Sequence, residues 1–314
     1  MRAVDYSISL PPPPDYAELH CLSNFTFQRG ASHADELFER AHALGYTALA
    51  ITDECSLAGI VRAMIASEQL HLKLIVGSEF TLVDGLKCVL LCTDRTGYST
   101  LSRLITQARR AAEKGSYRVE RSDIDALDTT GLLALWIPQS PERRNEELDW
   151  LQTRFPQRLW ITLELHREAG DSARTTALQA LATDTGIPLV AAGDVHMHAR
   201  GRRALQDALT AIRLRRSVAE CGHALFANGE RHLRPRHALA ALYPRDALAE
   251  AVRIAERCTF NLRELHYDYP EELVPAGHTP TTHLRALTQA GAQRRWPGGV
   301  PPAIHALIEK ELAL

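Results

Sequence analysis

From residue 16 to residue 192 the chain alternates short, near-continuous apolar runs with amphipathic stretches, and this alternation narrows the fold more than any other feature. Apolar runs at residues 47–52, 72–76, 132–137, 158–165 and 188–192 read as strands. Residues 17–20 add a brief strand candidate, and residues 81–92 read as a hairpin with Asp84-Gly85 as its turn. Helical spacing marks residues 57–69, 98–113, 142–154 and 173–185. A further helix starts at Ser32, with Asp35 as a weak capping partner and Gly45 as a stop. Strands that alternate with helices predict a mostly parallel sheet covered on both faces. Beyond Arg200 the pattern is almost wholly helical.

Polar residues gather where the predicted strands end: His20, Asp53-Glu54, Glu79, Gln139 and Asp194-Val195-His196. In parallel α/β folds these ends carry the functional groups, and a barrel brings them to one mouth. Imidazole and carboxylate together suit zinc, manganese or iron, which activate water for phosphoester hydrolysis. Asp194 and His196 lie two apart, so in extended backbone both side chains face the same way. His196-Met197-His198 puts two imidazoles in step by the same rule. A helix-capping aspartate beside a surface histidine fits the same spacing, which leaves both readings open.

Composition sets limits. The 314 residues are 45% hydrophobic and 24% charged, with a net charge of -2, as in ordinary globular proteins. That balance gives no support for a stand-alone nucleic-acid clamp, which is usually basic. No apolar run approaches the ~18 residues of a membrane helix, and no charged-then-apolar signal segment opens the chain. The six cysteines form no C-x-x-C pair and read as buried free thiols, which suits a reducing cytoplasm.

Four ordered motifs carry a family resemblance: residues 18–25 (ELHCLSNF), 51–59 (ITDECSLAG), 77–80 (GSEF) and 192–198 (AGDVHMH). Together they resemble the PHP (polymerase-and-histidinol-phosphatase) domain of bacterial C-family DNA polymerases of the replicative alpha-subunit type. Their wording is closest to the error-prone, translesion branch. The resemblance implies an α/β fold, a distorted (β/α)7 barrel, followed by a mostly helical C-terminal extension. It also implies a lead-in at 1–15, a PHP domain at 16–265, and a linker with the start of a polymerase core at 266–314. Pro11 to Pro14 suit an extended lead-in.

In that family about three metals are held by up to nine ligands. Carried over position by position, His20, Glu79, Asp194 and His196 are kept. Leu22 stands where the second histidine of the first motif belongs, Arg29 at an acidic position, Glu54 at the histidine of T-D-H-G, and Lys87 at a later histidine. A further ligand position falls near Pro138. Leu22 offers no lone pair. Arg29 and Lys87, pointing inward, would put positive charge where cations sit, at about 4 kcal/mol per like-charge pair at ~4 Å and an effective dielectric of ~20. The expectation is a degenerate, structural PHP domain without a required cofactor, leaving room for one residual divalent zinc or manganese ion. The rival expectation is an active PHP phosphoesterase or 3′–5′ exonuclease, and a plain interaction module is a third.

Polymerase chemistry in this family needs palm-domain aspartates. Asp123-Ile124-Asp125 is the one D-x-D, and its polar surroundings suit a turn or helix start. No Gly-Arg-Gly-Ser loop occurs, and residues 309–314 read as the middle of an amphipathic helix. The resemblance therefore implies a piece of a nucleotidyltransferase that acts in DNA damage-tolerant synthesis. Its implied partners are the rest of the polymerase chain, DNA, the sliding clamp and a Y-family-like accessory protein. Arg200, Arg202 and Arg203 open a dense basic region that suits DNA phosphates or the polymerase core, with a solvated helix face as the bland alternative.

Overall fold

Seven strands lie side by side in chain order in the computed structural model, which describes residues 12–139, 144–266 and 273–313. They are β1 Ala17–Glu18, β2 Ala48–Ile51, β3 Lys73–Thr81, β4 Lys87–Cys92, β5 Leu132–Trp136, β6 Leu159–Glu164 and β7 Leu189–Ala192. The β3–β4 and β4–β5 pairs are antiparallel and the others parallel. Strands β2, β5 and β6 are buried at every residue, as expected for a sheet covered on both faces.

The sheet curls until its edges nearly meet. Past β1 and β7, Cys21 bridges to Val195. The Leu22 amide donates to the Val195 carbonyl at 2.8 Å, and the Val195 amide to the His20 carbonyl at 2.9 Å. Buried Glu18 adds a clasp across this seam. Its carboxylate accepts from the Gly193 amide at 2.8 Å, the His20 amide at 3.0 Å and the Tyr16 hydroxyl at 2.9 Å. The result is a mixed α/β barrel of seven strands, nearly closed, followed by helices.

Helices α1 Ala34–Ala43, α2 Ile60–Leu70, α3 Arg95–Arg110, α4 Arg121–Asp125, α5 Arg144–Arg154 and α6 Asp171–Thr185 are interleaved with the strands. After β7 come α7 Arg203–Leu214, α8 Val218–Cys221, α9 Arg236–Leu242 and α10 Arg245–Arg257. The chain divides into two compact units, Met1–Leu265 and His266–Leu314. The second holds α11 Pro280–Arg295 and α12 Pro302–Leu312, joined by an Arg285–Glu309 ion pair at 2.6 Å. Thr279 caps α11 by accepting from the Thr282 amide. Residues 267–272 of the linker region expected within 266–314 and the start of the helix expected at 142 lie outside the described residues, as does Leu314.

Two local expectations need correction. The helix expected to start at Ser32 is capped instead at His33, whose amide donates to Glu36 at 2.9 Å. Ser32 is occupied elsewhere, with its hydroxyl accepting from the His198 amide at 2.9 Å. The strand expected to end at Val76 continues through Glu79 to Thr81, because Gly77–Thr81 pair with Lys87–Leu91 across the hairpin. Glu79 is therefore held by strand backbone rather than by a loop. Asp123 lies in α4 and caps it with Glu120, in keeping with a helix start. All six cysteines are buried and free. No helix among the described residues is long and apolar enough to cross a membrane.

Candidate functional site

The strand ends converge on a cleft of about 510 Å³, lined by residues that include Arg29, Glu54, Glu79, Lys87, Glu164, Asp194, His196 and Arg231. His20, at 0% exposure, does not line the cleft itself but is bonded to Glu79 and Glu164, which do. Because β4 runs antiparallel, its first residue, Lys87, comes to the same mouth as the last residues of the parallel strands.

Glu79, also fully buried, is the hub. One of its oxygens lies 2.8 Å from His20 Nε2 and 2.9 Å from Lys87 Nζ. The other accepts from the Arg29 guanidinium at 2.6 Å. The same Arg29 nitrogen reaches Glu54 at 2.5 Å, and Glu54 accepts from the Tyr117 hydroxyl at 2.9 Å. Burial pushes the Glu79 carboxyl up, but Lys87, His20 and Arg29 outweigh it and hold it well below the usual range.

His20 is held from both sides, with Nδ1 2.7 Å from Glu164 and Nε2 2.8 Å from Glu79. Carboxylates accept and do not donate, so both ring nitrogens must carry protons and the ring is an imidazolium. Burial lowers its affinity for that proton, yet the two carboxylates raise it above the ordinary value. In return Glu164, pushed up by burial, is brought down to about 2 by His20 and Lys87.

Asp194 closes the ring. One oxygen is 3.1 Å from His196 Nε2 and 3.7 Å from His20 Nε2, and the other pairs with Arg231. Asp194 takes a left-handed backbone, φ 44°, which aspartate tolerates better than most residues. The Arg231 guanidinium stacks on Phe226 at 4.2 Å, and His196 meets the edge of that ring at 5.0 Å. Burial and Arg29 drive His196 down to about 3, and burial and Arg231 drive His166 down to about 4. Both are neutral rings.

The loop after β1 delivers Arg29, and its shape is fixed by Asp53. That carboxylate accepts from the Ser23 amide at 2.8 Å, the Ser23 hydroxyl at 2.7 Å and the Thr26 hydroxyl at 2.6 Å. Gly30 packs so closely that a Cβ there would lie 1.9 Å from the Ser23 carbonyl oxygen. Gly30→Ala is expected to push the loop off Asp53 and lower stability by about 1–3 kcal/mol, read by urea denaturation. An unchanged midpoint would show that the loop is looser than its contacts indicate.

The structure thus brings His20, Glu79, Asp194 and His196 together, with Arg29, Glu54 and Lys87 among them. Leu22 is buried in the core and takes no part. Pro138 lies near the rim through its carbonyl, which accepts from Arg174 at 3.3 Å. Arg200, Arg202 and Arg203 are each engaged by an acid of their own chain: Glu230 at 3.5 Å, Glu36, and Asp207 at 3.4 Å. Sequence reasoning missed Glu164 and His166, and it placed Arg231 in the basic region after Arg200 rather than at the cleft. The first two stand at the end of β6, where the strand-end rule applies. Arg231 sits in an irregular segment that carries no periodic signal.

Comparison with known proteins gives the class first. Residues 18–142 match the family model described as the PHP domain, and they form the part of the barrel from β1 through β5. Over 303 residues the chain is 60% identical to an error-prone DNA polymerase of Pseudomonas savastanoi pv. phaseolicola, covering 96% of this chain and 29% of that one. Over 306 residues it is 55% identical to an error-prone DNA polymerase of Dechloromonas aromatica, covering 96% and 30%. Residues 18–142 are thus similar to a PHP domain, and the chain is similar over nearly all its length to error-prone DNA polymerases, while it spans about 29% of the length of the curated relatives it matches. A solved structure from Bifidobacterium adolescentis, a candidate metal-dependent phosphoesterase, overlaps 59% of this chain and 89% of its own, with TM-score 0.45 and 18% identity.

Proposed function

We propose that this chain is the PHP portion of an error-prone DNA polymerase in which side-chain cations stand in for metal ions, and that it supports the polymerase core without hydrolysing anything itself. The observation that carries this reading is the bonding of His20 and Glu79. A ligating imidazole needs a bare nitrogen lone pair, and both His20 nitrogens face carboxylates instead. Glu79 has given both oxygens to His20, Lys87 and Arg29, and Asp194 is shared with Arg231 and His196. An ion could enter only by displacing these groups, so the donor set as bonded does not fit the family's metal cluster. In this reading nucleotidyl transfer, damage-tolerant synthesis and contacts with DNA, sliding clamp and accessory protein belong to the intact polymerase.

A second reading rests on one distance. Ligand atoms of His20, Glu79 and Asp194 lie within 4.8 Å of one another, close enough for one zinc or manganese ion and a residual phosphoesterase or exonuclease activity. The two readings separate in a phosphodiesterase assay on bis-p-nitrophenyl phosphate and a 3′-labelled oligonucleotide, with manganese or zinc added. Scaffolding predicts no turnover above buffer, and the same trace for His196→Ala. Turnover that disappears in His196→Ala would establish the second reading.

A further inference from the structure

Helix α7 is packed inside out. The residues it buries are Gln206, Thr210 and Ala211, while Leu205 and Ile212 are 41% and 59% exposed. Leu205, Ala208 and Ile212 recur at i, i+3 and i+7, so they form one stripe along the outer face. Val218, at the start of α8, is 45% exposed and extends this stripe. Between the two helices runs a groove of about 450 Å³, lined by Ala208, Ala211, Ile212, Arg215, Arg216 and Val218 among others. Single exposed aliphatics are ordinary, but an apolar stripe on a helix that buries its polar side marks a surface that something covers.

The charge around the groove is mainly positive, with Arg215 and Arg216 against the single acid Glu220. Arg215 and Arg216 are exposed and have no carboxylate partner among the described residues. Glu220 is the one acid in the lining, turned to the Ser217 amide at 2.9 Å and the Ser217 hydroxyl at 2.8 Å rather than to either arginine. Arg215 ends α7 in the left-handed region, φ 54°, where glycine is the comfortable residue.

We propose that the α7–α8 groove docks an amphipathic helix of a separate partner protein, whose apolar stripe covers Leu205, Ile212 and Val218 and whose flanking acids pair with Arg215 and Arg216. This is helix-in-groove recognition, with charge setting the partner's sign. The lining contains no aromatic ring on which a base could stack, which favours a helix over single-stranded nucleic acid. The proposal stands apart from the barrel mouth and holds whether or not an ion binds there.

The test uses the 314-residue chain and a labelled synthetic helix carrying leucine at i, i+3 and i+7 and glutamate on both flanks. Fluorescence anisotropy is expected to show saturable binding that weakens with salt. Arg215→Glu with Arg216→Glu is expected to weaken it at least about tenfold, and Ile212→Asp similarly. The same peptide with lysine for glutamate is expected not to bind. Circular dichroism checks that the variants fold; Ile212→Ser with Val218→Ser supplies a milder pair that keeps every charge. Absence of binding by the acidic peptide would overturn the proposal. So would binding that ignores these substitutions, an Arg215/Arg216-dependent preference for a dT oligonucleotide, or self-association in light scattering that Ile212→Asp abolishes.

Discussion

Glu79→Leu is expected to lower the stability of the protein by about 3–5 kcal/mol, one of the largest losses open to any single substitution in the barrel. The carboxylate is fully buried and neutralises His20, Lys87 and Arg29 at 2.6–2.9 Å. Removing it takes from Lys87 the carboxylate it faces and leaves His20 and Arg29 with one each, Glu164 and Glu54, in a poorly solvated pocket. For a unit of this size the loss corresponds to a fall in Tm of roughly 10 °C. The converse substitution is the sharper test. Breaking one partner of a buried ion network is costly, but replacing all partners by apolar groups is often close to neutral. Adding Arg29→Met and Lys87→Met to Glu79→Leu removes both side-chain cations and leaves His20 with Glu164, so it is expected to restore part of the lost stability and to give a favourable coupling in the mutant cycle. Purely additive losses would show that Glu79 acts through packing and that the cations are solvated on their own.

Acid is expected to weaken the protein well above the range in which carboxylates titrate. His166 and His196 are held neutral, at about 4 and about 3, whereas in the unfolded chain they take up protons near the ordinary histidine value. A histidine depressed in the folded state stabilises above its unfolded value and loses that contribution as pH falls. At pH 5 each of these two costs about 2 kcal/mol relative to neutral solution. His20 has the opposite sign. Its raised affinity stabilises below the unfolded value and is lost as pH rises through the folded one, so it returns part of the loss on acidification. Glu164, at about 2, contributes a constant amount between pH 5 and 7 and fails only in stronger acid. The net change from pH 7 to pH 5 is about 3 kcal/mol, read from denaturation midpoints. His166→Gln should flatten the slope by roughly half. A midpoint that stays level from pH 7 to pH 5 would mean that these rings reach solvent and titrate normally.

How far the sequence could be read differs between backbone and site. Strand runs such as 132–137 and the Asp84-Gly85 hairpin were legible because a buried sheet demands unbroken apolar runs and a tight turn demands glycine. The helix start was misjudged by one residue because Ser32 is bonded to His198, 166 positions away, a partner that no local pattern reveals. Strand-end polarity located His20, Glu54, Glu79, Asp194 and His196, and the resemblance supplied Arg29 and Lys87. What stayed hidden was the pairing. Glu164 looks like a single polar interruption in an apolar run, and its meaning comes from His20 on a strand that is remote in sequence. Arg231 reaches Asp194 from a segment without regular structure, and only the closed fold puts the two together. A motif identifies which ligands are absent, whereas charge balance across the cleft depends on residues that no motif contains.

In the function proposed above, Lys87, Arg29 and Arg231 occupy the places of metal ions. The most direct measurement is the metal content of the purified chain, by mass spectrometry, after equilibration with zinc or manganese and removal of free ion. Substitution by side-chain cations predicts far less than one equivalent per chain and a Tm that chelator leaves unchanged. One or more tightly held equivalents, lost in His20→Ala together with a chelator-sensitive Tm, would contradict it.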